Sequence, residues 1–96
     1  MEEMHESYGA VYQVIREASG SGYVTSGLRG RMYQAVDTLK TFKAPADHIR
    51  LAERISVTLH ALEWATLRRD DSRLAADWQA LCALEEQWLT APVPRA

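Results

Sequence analysis

Cysteine is nearly missing from this chain. Cys82 is the only one among 96 residues, so no internal disulfide framework can form, and a lone thiol suits a reducing compartment. Glycine and proline are both missing between Pro45 and Pro92, which leaves a long stretch that nothing in the backbone interrupts. No apolar run approaches the length of a membrane span. The start, Met1-Glu2-Glu3-Met4-His5-Glu6, lacks the basic and apolar regions of a signal peptide, and a cytoplasmic location is the expectation. A large excess of either charge is lacking too. The net charge of −2 argues against broad electrostatic binding to nucleic acid or to an anionic membrane. Only residues 19–43 are locally basic, at +3, between stretches 1–18 and 46–89 that each carry −3.

What is present is helical patterning. With 47% hydrophobic and 25% charged residues, the chain can build one core without staples. Met4, Tyr8, Val11, Ile15 and Ala18 recur at steps of four and three, which predicts a helix near residues 3–18. Gly20 is placed to end it, and Ser19 to Gly27 reads as a mobile joint. Thr25 or Ser26 can cap a second helix, near 27–42, lined by Leu28, Met32, Ala35 or Val36, Leu39 and Phe42. Pro45 fits the first turn of a third helix, near 46–69, because its missing N–H is not needed there. In that helix Ala52, Ile55, Leu59 and Leu62 form one stripe. At about 100° per residue, Val57, Ala61 and Trp64 fall nearly opposite.

The polar run Arg68 to Arg73 breaks the stripe, so the chain is expected to turn back into a fourth helix, near 72–89, capped by Asp70, Asp71 or Ser72. Its broad face carries Leu74, Trp78, Leu81, Cys82, Trp88 and Leu89, with Glu85 at the centre of the arc. A carboxylate there needs Arg50, Arg54, an arginine of another chain, or water. Residues 91–96 contain Pro92 and Pro94 and read as a flexible tail behind a single helical domain, residues 1–90.

The motifs that suggest chemistry fail on inspection. Gly22 to Gly27 has phosphate-loop spacing, but Leu28-Arg29 stands where Lys and a hydroxyl are required. His5-Glu6 opens like a zinc-protease motif, and Gly9 occupies the place of its second histidine. Glu53, His60 and Glu63 share one side of the third helix without a fourth ligand at helical spacing. Cys82 on an apolar face is inert. Neither a metal nor a cofactor site is assigned, and no catalytic group is.

Arg29, Arg31 and Gln34 at the start of the second helix have the makings of a DNA-reading helix, but the preceding link is too long and glycine-rich for the usual tight turn. Trp64 and Tyr33 lie off the core stripes beside arginines, the composition of protein-binding hot spots. The expected fold is an all-α four-helix bundle with a C-terminal antiparallel hairpin. The expected function is a non-enzymatic, homodimerising inhibitor or antiactivator that covers the dimerisation or apolar surface of a partner such as a transcriptional regulator, through Val57, Ala61, Trp64, Arg68 and Tyr33. A secretion-type chaperone, a toxin-immunity protein and a small helical DNA-binding regulator are the alternatives.

Overall fold

The computed structural model describes residues 2–92. Four helices follow one another: α1 (Glu2–Ser21), α2 (Ser26–Thr41), α3 (Ala46–Arg68) and α4 (Asp71–Thr90). Links this short force each helix to run antiparallel to the one before it. Each packs on its sequence neighbours, and α4 returns to α1 to close the ring, within an envelope of 44 × 23 × 21 Å. The protein is therefore an all-α four-helix bundle, and α3 with α4 forms its antiparallel hairpin. The α1–α4 seam is the thinnest of the four.

The core is the expected set of stripes. Met4, Tyr8, Val11, Ile15 and Ala18 of α1 are buried, as are Leu28, Met32, Leu39 and both Ala35 and Val36 of α2. Ala52, Ile55, Leu59 and Leu62 of α3 lose all solvent contact. In α4 the rotation differs from expectation. Leu81, Leu84 and Trp88 are buried, whereas Cys82 faces solvent and Leu89 is 59% exposed. The first half of α4, residues 71–80, contains no buried residue; Leu74 and Trp78 only lean on the core.

The helix ends also depart from expectation in detail. Thr25 caps α2 by accepting from the N–H of Leu28 at 3.1 Å, and Asp70 caps α4 by accepting from Arg73 at 3.1 Å. Pro45, however, is itself the cap of α3, with ψ 139° and no side-chain acceptor, so the helix starts at Ala46. Gly20 stays helical, and the left-handed residue is Gly22, at φ 79°. The joint is thus only residues 22–25, tied down by buried Val24. Phe42 lies just past α2 and is 41% exposed rather than in the core.

At the ends of α2 and α3, Lys43 and Arg69 take the left-handed conformation that glycine usually supplies, both at φ 56°. The following N–H groups, of Ala44 and Asp70, return to Leu39 and Ala65 at 2.9 and 3.0 Å and close the last turns. Pro92 lies outside any helix; the rest of the expected tail, residues 93–96, lies outside the described residues.

Glu85 pairs with neither Arg50 nor Arg54. It points to the α1 seam, where Arg16 Nη1 is 3.9 Å from its Oε2, an oxygen that is buried and accepts no hydrogen bond. Asp77 Oδ2, also buried without a hydrogen bond, has Arg73 Nε at 3.8 Å. No described helix is long and apolar enough to cross a membrane.

Two stability changes follow from this packing. Leu59→Ala should cost about 2 to 5 kcal/mol, read by thermal unfolding against the exposed control Arg50→Ala; equal shifts for the two would place Leu59 outside the core. Gly9 is exposed within α1, and a Cβ added there meets nothing within 4 Å. Gly9→Ala should therefore stabilise the chain by about 0.5 to 1 kcal/mol, and a loss of stability in urea titration would mean a hidden contact at that position.

Candidate functional site

α3 buries one stripe completely and presents the opposite one to solvent. Val57 is 69% and Trp64 47% exposed on that outer face, although each is a large apolar residue within the helix. Ala61, between them, is half-buried and shares a hollow of about 340 Å³ with Trp64, Arg68 and Arg73. Tyr33, on α2, is 62% exposed and meets Val57 and His60 across a groove of about 260 Å³ between α2 and α3. The five expected contact residues are divided between two hollows: Ala61, Trp64 and Arg68 line the first, and Tyr33 and Val57 the second. In the first, the Arg68 guanidinium lies 5.5 Å from the centre of the Trp64 ring. Leu67, 69% exposed, extends the apolar surface beyond those five.

Polar residues hold this face. Arg29 Nε donates to Glu63 Oε2 at 3.1 Å, and Arg29 Nη1 lies 2.8 Å from His60 Nδ1. Trp64 Nε1 lies 2.9 Å from His60 Nε2. A neutral imidazole has one acceptor nitrogen, so its ring can accept from only one of these two donors at a time. Arg29 is charged and already fixed by Glu63, which makes its bond the stronger. The Trp64 N–H is then left facing another donor, and the indole has reason to turn toward solvent or a partner. Glu53 turns to Lys40, 3.0 Å away on α2. Among the described residues no three His, Cys, Asp or Glu side chains come together as metal ligands.

The two arginines that suggested DNA reading are both engaged with carboxylates. Arg29 holds Glu63, and Arg31 Nη2 donates to Glu17 Oε2 at 2.5 Å. That hydrogen bond holds the exposed Glu17 carboxyl below its ordinary range and the guanidinium above its own.

A second polar cluster lies at the N-terminal end of α3, and spacing alone did not single it out. His48 is 7% exposed, and its Nδ1 is hydrogen-bonded to the Tyr8 hydroxyl of α1. Trp88, from the last turns of α4, stacks on Tyr8 with ring centres 5.1 Å apart and donates its indole N–H to the Tyr8 carbonyl at 3.1 Å. The Tyr8 and His48 rings meet edge to face at 5.5 Å. The signal in the sequence was weak, since the Tyr8 to His48 contact spans 40 residues and the Trp88 to Tyr8 bond 80.

Comparison with family models, curated proteins and solved structures finds no match for this chain.

Burial raises the Tyr8 hydroxyl above the ordinary phenol value. The native state then keeps this proton at a pH where the unfolded chain has released it, so stability is fully present below about pH 10 and falls as pH rises through it. Urea unfolding between pH 7 and 11 should show Tyr8→Phe less stable than the parent at pH 7, with the gap closing in the alkaline range. A gap that stays constant over that range would contradict the buried, protonated phenol.

Proposed function

We propose that this protein is a non-enzymatic protein–protein interaction module. It acts as an inhibitor or antiactivator that sequesters a partner, such as a transcriptional regulator, by covering that partner's dimerisation or apolar surface. The contact surface is the outer ridge of α3, formed by Val57, Ala61, Trp64 and Arg68, with Tyr33 from α2. One observation carries this reading: α3 exposes Val57 and Trp64 on the side opposite a stripe that is wholly buried. Leaving an indole half in water forgoes a large burial term, which a partner's surface would recover.

The composition of the ridge supports the same reading. Tryptophan, tyrosine and arginine are the residue types that most often dominate binding energy at interfaces, and small Ala61 permits a helix to approach closely. When the target is lacking, the same face on two copies is expected to pair about a two-fold axis. The reading as a DNA-binding regulator draws no such support, because Arg29 and Arg31 are occupied by Glu63 and Glu17.

The test is Ala61→Arg, which adds bulk and charge at the centre of the ridge and remains helical because arginine is a good helix former. Sedimentation should show the variant as a monomer that no longer holds a partner captured by the parent protein from its native cytosol. Trp64→Ala should weaken the same association by about 2 kcal/mol or more. Unchanged mass and unchanged partner binding in both variants would refute the ridge, and loss of helicity by circular dichroism would place Ala61 inside the fold.

A further inference from the structure

At the other end of α3 from Trp64, a cleft of about 390 Å³ is lined by His48, Asp47, Arg50, Arg54 and Gln87. Hydrogen-bond counting fixes what His48 offers there. Among the described residues the Tyr8 hydroxyl has no acceptor but His48 Nδ1. With the phenol as donor, Nδ1 accepts and the ring proton sits on Nε2. That Nε2–H has no protein acceptor, and His48 is one of the residues that wall the cleft. A side chain more than nine-tenths buried thus lines an open polar space with one donor uncommitted.

The charges around it are unbalanced in the same sense. Among the described residues Arg54 forms no ion pair or side-chain hydrogen bond, and Arg50 reaches only the exposed Asp47, at 3.8 Å. Of the two carboxylates along the site, Asp47 and Glu53, the second is already matched by Lys40 at 3.0 Å, so two guanidiniums face one remaining carboxylate and leave a single positive charge. α3 adds to it, because its cap, Pro45, supplies no side-chain acceptor for the first-turn N–H groups. A monoanion neutralises this set, whereas a dianionic phosphate leaves a negative charge unmatched.

The cleft does not end there. Arg50, Arg54 and Gln87 also line a groove of about 520 Å³ between α3 and α4, whose other walls are Val57, Thr58, Ala80, Ala83 and Leu84, together with Glu53, which is paired with Lys40. A positive head site opens directly into an apolar channel of small side chains.

We propose that this composite site binds an amphipathic monocarboxylate, with the carboxylate held by His48 Nε2–H, Arg50 and Arg54 and its apolar body lying along Ala80, Ala83 and Leu84. The site shares Val57 with the outer ridge but none of Trp64, Ala61 or Tyr33, so it stands or falls independently of the partner surface.

The experiment is an NMR titration of the full chain with octanoate, following the His48 ring and Ala83 methyl signals, with acetate, octyl phosphate and octanol as parallel probes. Octanoate should saturate and shift both signals, with acetate weaker by at least about tenfold for want of the apolar body and octanol weaker for want of the charge. Arg54→Gln, at an exposed position, should reduce octanoate affinity by about tenfold or more. Ala83→Trp, which fills the groove, should abolish octanoate binding and leave acetate unchanged. Circular dichroism of both variants checks that they fold. Octanoate that leaves the His48 signals unmoved, or that binds Arg54→Gln as well as the parent, overturns the site; tighter binding of octyl phosphate overturns its assignment to a carboxylate.

Discussion

The ring of four helices depends on Trp88. Three of its seams join helices connected by short links, and those pairs find each other through chain geometry alone. The fourth, between α1 and α4, has no such help and the least packing. There Trp88 supplies three kinds of contact to Tyr8 at once: a stacked ring, an N–H donated to the backbone carbonyl, and burial of a large apolar surface. Tyr8 passes the constraint to α3 through His48. One end of the bundle is therefore bolted across three helices by the Tyr8–His48 and Trp88–Tyr8 hydrogen bonds.

That bolt also explains why α4 was the helix whose rotation the pattern did not settle. Leu81, Cys82, Leu84, Trp88 and Leu89 spread apolar character over an arc of about 160°, wider than one helix face can bury, and periodicity alone favours no single direction within it. Stacking on Tyr8 sets the rotation: it draws Leu81 and Leu84 inward and turns Cys82 and Leu89 out. The same rotation carries Glu85 toward Arg16 of α1. Arg54 is consequently left without the carboxylate that the sequence offered it. α1, α2 and α3 each carry one dominant stripe, and there the pattern was sufficient.

The outer ridge was legible for the same reason as the core. Val57, Ala61 and Trp64 sit at helical steps on the side away from Ile55, Leu59 and Leu62, so a residue count places them on the surface once the stripe is known. Their surroundings were not legible. The contact of Arg29 with Glu63 joins residues 34 apart, and that with His60 joins residues 31 apart; both depend on how α2 lies against α3, which no local pattern encodes. The pairing of Tyr8 with His48 was hidden likewise, because a histidine in a first turn looks like any solvated one until another helix covers it.

The bareness of the first half of α4 has a consequence for how the molecule opens. Residues 71–80 bury no side chain fully, whereas Leu81, Leu84 and Trp88 follow in the second half. The free energy that holds α4 is thus concentrated toward one end, and the helix behaves as two units in series. The Arg69–Asp70 elbow and the turns after it, held only by half-buried Leu74 and Trp78, form a unit of lower local stability than the second half of α4, able to lift away while Trp88 stays seated. Such partial opening leaves α3 intact and uncovers core lining from one end only, so the bundle breathes like a hinged clip and not like a set of separating rods.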